Sequence, residues 1–143
     1  MALSEKPPLW FWIVGVLLLL WNGMGVAAYV GEATLTAEAL QALSEGQRTL
    51  IVSRPAWATA AYAVAVFGGV AGCLLLLIRR RAAVPVLVLS LLGVFVQMGH
   101  AFLMADAFAV VGAAGTVLPA LVLACALFEV WFARRARARG WLR

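Results

Sequence analysis

Polar side chains that could do chemistry are few in this chain, and most stand inside apolar runs. Gln97 and His100 lie three residues apart and so share one helix face, which Met104 continues four residues later. Asn22, Thr59, Tyr62 and Thr116 stand in the other apolar runs. Amide, phenol and imidazole groups of this kind can hydrogen-bond a neutral, hydroxyl-rich solute. They can equally glue one helix to another, typically for about 0.6–2 kcal/mol per contact. The residues alone admit both readings. A soft Cu(I) site would combine His100 with Met24, Met98 or Met104. Met98 and His100, two apart, cannot share a face, and neither a metal nor a cofactor is expected.

Glu129 is the only carboxylate within an apolar run, with Trp131 and Arg134 close by. Its place near the end of that run suggests snorkelling, or pairing with the basic residues that follow, rather than proton coupling. The chain has one histidine. It carries no CxxC, no phosphate loop, no HExxH, and no nucleophile beside a plausible base. Catalysis is the least supported class, and no enzyme is expected. Cys73 and Cys125 fall inside apolar runs, where a thiol acts as a small hydrophobe rather than as half of a disulfide framework.

The elements that must hold these groups follow from composition. Of 143 residues, 66% are hydrophobic and only 12% charged. A soluble domain is about half apolar and about a quarter charged. One domain fits this length. Crossing roughly 30 Å of hydrocarbon takes about 20 helical residues. Four runs meet that length, at 9–30, 57–78, 82–104 and 113–133. Outer-membrane strands would instead alternate over about ten residues. Pro7, Pro8, Pro55 and Pro85 fall before or at the start of a run, where a missing N–H is harmless, whereas Pro119 lies deeper and is placed to kink the fourth helix. The first run is longer than a signal-peptide core and is flanked by Trp10, Trp12 and Tyr29 as interface anchors. It reads as a retained helix.

Basic residues set the orientation. Of the eleven, only Arg48 and Arg54 fall on one side of the expected spans; Lys6, Arg79, Arg80, Arg81, Arg134, Arg135, Arg137, Arg139 and Arg143 fall on the other. The positive-inside rule puts that second side in the cytoplasm, with both termini. The net charge of +5 is explained by these membrane-flanking runs. No nucleic-acid partner is expected, because no polar segment carries a basic patch with interleaved aromatics. Arg79, Arg80, Arg81, Arg134, Arg135, Arg137 and Arg139 are expected to fix topology and meet lipid headgroups.

On the second run Ala61, Ala65 and Gly69 recur every four residues, and Gly68 with Gly72 makes a GxxxG. Such stripes mark close helix packing, within one chain or between copies. Residues 31–56 form the sizeable polar stretch. There Thr36 can cap a short helix, Leu35 and Leu40 can staple it, and Gly46 can end it. That helix would lie on the surface, fold over the bundle as a lid, or merely connect.

The chain resembles a group of small four-span proteins of proteobacteria. The resemblance rests on Pro7-Pro8-Leu9-Trp10, Trp21-Asn22-Gly23-Met24-Gly25-Val26, Pro55-Ala56-Trp57, Phe67-Gly68-Gly69, Val96-Gln97-Met98-Gly99-His100 and Trp131-Phe132-Ala133-Arg134-Arg135. It spans nearly the whole chain. Those proteins carry the loose label "sugar transporter", which implies a membrane protein handling a small solute. The resemblance brings no assigned binding residues with it.

The expected fold is therefore an all-α integral membrane protein of the inner membrane. It is a four-transmembrane-helix antiparallel bundle with a short periplasmic amphipathic helix. The expected function is binding or transport of a small neutral solute, with Asn22, Tyr62, Gln97 and His100 in an outward-facing pocket. The lipid bilayer is the expected surrounding, with a second copy or other membrane subunits as possible partners. The rival expectation is a non-catalytic accessory subunit of a larger membrane complex, using the Ala61–Gly72 face.

Overall fold

The computed structural model describes residues 5–143, and all the regular structure among them is helical. Helix α1 runs Leu9–Ala33, with Pro8 in extended conformation at its N-cap. Two short helices follow, α2 at Ala37–Ala42 and α3 at Glu45–Val52. Helix α4 covers Ala56–Leu77, again behind a proline cap, Pro55. Helix α5 covers Ala83–Gly99 and runs on through a π-helical turn at His100–Met104. Helix α6 spans Ala107–Gly115 and α7 spans Val117–Ala138. Four helices, Leu9–Ala33, Ala56–Leu77, Ala83–Met104 and Val117–Ala138, are long and apolar enough to cross a membrane.

Two expectations change here. The polar stretch holds two short helices, not one. Thr36 does cap the first, its Oγ1 accepting from the Ala39 N–H at 3.1 Å. However, the helix stops at Leu43, and Gly46 sits in the first turn of the next. Ser44 and Gln47 explain the break. They form a reciprocal capping box, the Gln47 N–H donating to Ser44 Oγ at 3.2 Å and the Ser44 N–H to Gln47 Oε1 at 3.3 Å. That box satisfies the orphan donors of a new helix start. Gly46 keeps α3 close to α6, since an added Cβ would stand 3.0 Å from a Val110 methyl.

The fourth span is also shifted. It begins at Val117 rather than 113, and the helix continues through Arg134, Arg135 and Arg137 to Ala138. The preceding α6 is broken at Gly112 (φ 67°, ψ −174°), a conformation open essentially to glycine alone. Pro119 consequently falls in the first turn of α7, where its missing N–H leaves no helical bond unmade, and it has no kink to cause.

The long helices pack in the order α1, α4, α5, α7, and small residues make the contacts close. At Gly93 an added Cβ would stand 2.8 Å from the Ala61 carbonyl oxygen and 2.8 Å from the Ala65 nitrogen, so α4 and α5 meet backbone to backbone. Beside it Ser90 Oγ donates to the Ala65 carbonyl at 2.6 Å. Gly68 and Gly72 face Ser90 and Leu87 of α5, while Gly69 faces Asn22 of α1. Along α1, Gly15 faces Leu77 and Gly25 faces Val66.

The larger buried cluster joins Phe11, Cys73, Leu76, Leu87 and Phe132 to Trp141 and Leu142 of the tail. The tail is held there by backbone bonds: Arg143 N–H donates to the Arg79 carbonyl at 2.6 Å, and Arg81 N–H to the Arg143 carbonyl at 3.0 Å. The Arg79 guanidinium adds a bond from Nε to the Trp141 carbonyl at 2.7 Å. Arg79 itself has positive φ (61°) in the turn between α4 and α5. At this end α1 and α7 meet through rings, Phe11 stacking on Phe132 at 5.7 Å. Apolar side chains also cover the outside, with Leu17, Leu20, Leu92 and Leu118 each more than half exposed. In water such a surface would aggregate; against lipid it is matched.

Candidate functional site: a cavity between the long helices

Away from the aromatic end the helices enclose a cavity of about 270 Å³. Helix α1 contributes Trp21, Asn22, Met24, Gly25 and Ala28; α4 contributes Tyr62, Ala65 and Val66. Ser90, Val94 and Gln97 come from α5, and Leu118, Val122, Ala126 and Glu129 from α7. Its walls are mainly apolar, with a few polar groups converging, which is the usual character of a small-molecule site.

The deep end is built around Asn22. Its Nδ2 donates to Glu129 Oε1 at 2.5 Å and to the carbonyl of Leu18, one turn back, at 2.9 Å. A third, longer contact reaches Cys73 Sγ at 3.6 Å. The Oδ1 side of the amide lies against α4, and only a residue without a Cβ fits there: a Cβ on Gly69 would come within 1.9 Å of Oδ1. Asn22 therefore joins three helices. Glu129 is 3% exposed. Twelve residues separate it from the start of α7 and nine from its end, so it stands near the middle of the span. The expected place near a helix end, with snorkelling or pairing to Arg134, is overturned. The cause is the shifted span. Residues 113–115 belong to α6, beyond its break at Gly112, and at the other end the exposed Arg134, Arg135 and Arg137 extend α7.

Among the described residues the only ion pair joins Arg54 to Glu32, so Glu129 faces no cationic side chain. That Arg54–Glu32 pair lies at the opposite, loop end of the cavity. The Arg54 guanidinium stands 5.6 Å from the Tyr62 ring centroid, and Tyr29 packs edge-on against Tyr62 at 5.1 Å. The chain leaving α1 and the chain entering α4 are thus tied together over a lining residue. Helices α2 and α3 carry no residue of the lining.

Of the four residues expected to bind a solute, Asn22, Tyr62 and Gln97 line the cavity and His100 does not. His100 instead packs edge-on against Trp57, with ring centroids 5.2 Å apart. The backbone is still α-helical up to His100, whose N–H bonds to the Val96 carbonyl, so its side chain leaves the site through the contact with Trp57 of α4, and the π-helical turn follows beyond it. Thr59 and Thr116 turn their hydroxyls to local carbonyls, Pro55 at 3.4 Å and Ala113 at 2.6 Å. Glu129, Ser90 and Trp21 are lining residues that sequence reasoning did not place in the site. For Glu129 the signal was there, as the sole carboxylate in an apolar run. Among the described residues no three His, Cys, Asp or Glu side chains come together as a metal site would need.

Compared with known protein families, with curated proteins and with solved structures, the chain has no match.

Proposed function

We propose that this protein binds a small solute within the membrane, as a transporter or solute-binding protein, and that the α1–α4–α5–α7 cavity is the binding site. One observation carries the reading. A buried carboxyl group and its amide partner sit at the deep end of an otherwise apolar cavity, where polar groups are costly and mark function by default. Gln97 and Tyr62 supply further hydrogen-bonding groups nearer the loop end, and nothing in the arrangement resembles a catalytic dyad.

In this reading the four helices alternate in direction across the inner membrane. The end bearing Arg79, Arg80, Arg81 and the arginines of the tail faces the cytoplasm, and the α2–α3 loop faces outward. The backbone bonds between residues 79–81 and Arg143 support it by gathering basic residues at one end. The cavity then opens on the outer half of the bilayer, with the Glu32–Arg54 pair at its rim. The rival accessory role needs a free stripe of small residues. Gly68 and Gly72 already face α5 and Gly69 faces α1, which leaves that stripe little to offer a partner.

Native mass spectrometry of protein extracted gently from its own membrane tests the site. The expected result is a small-molecule adduct that disappears in Gln97→Ala and persists in His100→Ala. An adduct indifferent to Gln97→Ala and lost with His100→Ala would put the site elsewhere. A stoichiometric complex with other membrane subunits and no adduct would favour the accessory role.

A further inference from the structure

We infer that the solute is a small amphipathic cation, an amine or quaternary ammonium with an apolar body, its head held by Glu129 and the Trp21 ring. This inference rests on the cavity being the binding site. Three features of the cavity select the charge. Glu129 is 3% exposed, accepts one side-chain hydrogen bond, from Asn22, and has no ion-pair partner among the described residues. An intramembrane carboxylate normally pairs with something, and here the space beside it is open cavity. None of the lining residues is basic, so an anionic solute would find no counter-charge. Trp21, the neighbour of Asn22 in α1, adds an aromatic ring to the lining near Glu129, and such rings attract ammonium groups through their negative faces.

The rest of the cavity selects the body. Apart from Gln97 and Tyr62 near the loop end, and Ser90 whose hydroxyl is donated to the Ala65 carbonyl, the walls are apolar (Val66, Val94, Val122, Ala126). A polyhydroxylated solute would bury most of its hydroxyls there unpaired. The opening points the same way. Met24 of α1 and Leu118 of α7 both line the cavity and are 66% and 63% exposed, so the cavity reaches the surface between two lipid-facing helices. A ligand with an apolar body can arrive by that route from the bilayer. At about 270 Å³ the space suits a molecule the size of one aromatic ring with an ammonium head.

The test uses two probes of the same shape, benzyltrimethylammonium and its neutral isostere neopentylbenzene, with glucose as a polyol. The full-length protein is placed in phosphatidylcholine nanodiscs, and binding is measured by equilibrium dialysis against empty discs. The permanent charge removes any protonation of the probe from the comparison. Benzyltrimethylammonium is expected to bind at least about tenfold more tightly than neopentylbenzene. Glu129→Gln, which keeps the shape and an acceptor for Asn22, is expected to abolish that preference, and Glu129→Asp to retain it. Ala126→Leu, which fills the cavity, is expected to remove binding of both.

Equal affinities in the wild type, or a preference that survives Glu129→Gln, overturn the cationic assignment. If neopentylbenzene or glucose then still binds and is lost in Ala126→Leu, the cavity remains the binding site and only the ligand class is wrong. If none of the three probes binds protein that is helical and monodisperse, the site assignment falls as well. Should Glu129→Gln fail to fold, Trp21→Leu replaces it, with an expected loss of the charged probe's advantage by a few fold and no change for the neutral one; an undiminished advantage overturns the cationic assignment.

Discussion

Asn22 ties three helices together through one side chain. It bonds its own helix at Leu18, α7 at Glu129 and, at longer range, α4 at Cys73, and it is seated against Gly69. Replacing it by leucine removes the only side-chain donor to Glu129 among the described residues, where the buried carboxyl group then keeps no hydrogen-bonding side chain. A loss of about 1–3 kcal/mol is expected, read as reversible unfolding in mixed detergent micelles. Converting both partners to leucine should recover much of that loss, because an apolar pair leaves nothing unsatisfied. The double variant should nonetheless bind no solute. If Asn22→Leu were as stable as the wild type, the bond to Glu129 would not hold the helices together.

Among the elements, the break before α7 decides where the site lies. Gly112 holds φ 67° and ψ −174° with open space around it, so a methyl group there meets no neighbour and the penalty is backbone strain alone. Gly112→Ala is expected to destabilise by about 1–3 kcal/mol. Pro119→Ala, in the first turn of α7, should change stability by no more than about 0.5 kcal/mol, because no interior helical bond is restored. Thermal unfolding of the two variants side by side checks the contrast. A large effect at Pro119 with none at Gly112 would return the kink to the proline. The same scale explains α2 and α3, where the Ser44–Gln47 capping box outweighs the continuity that Leu40 and Leu43 suggest.

For the molecule as a whole, the two ends differ in character. At one, Phe11, Phe132, Trp141 and Leu142 form a closed aromatic cluster, and arginines from two parts of the chain gather around it. At the other, α3 meets α6 through Gly46 and Val110, and the Glu32–Arg54 pair stands beside Tyr62. The proposed orientation puts the first end in the cytoplasm. Fluorescent-protein fusions after Arg143 should therefore be bright, and alkaline phosphatase inserted between α2 and α3 should be active. A dark C-terminal fusion with an inactive loop insertion would invert the topology. The Glu32–Arg54 pair itself, partly exposed, should add no more than about 1 kcal/mol to stability.

The number of apolar helices was legible in the sequence because it is a local property. A spanning segment must satisfy its backbone bonds within itself and be apolar over its whole length, and both conditions are written in consecutive residues. Thr36 as a cap was legible for the same reason, as a side chain acting on a backbone three residues away. The lining of the cavity by Asn22, Tyr62 and Gln97 was legible in part, since polar groups in apolar runs turn inward to find partners. The rest depended on contacts between distant parts of the chain. Asn22 meets Glu129 across 107 positions, and that meeting requires a rotation and depth of α7 that no window of sequence contains. His100 left the site by packing on Trp57, a contact across 43 positions that regular spacing along one helix cannot reveal. Residue type and hydropathy determine which helices form and which groups must be buried. The rotation and depth of each helix, set by glycine-to-side-chain fits such as Gly69 on Asn22 and by the break at Gly112, decide which buried groups face one another.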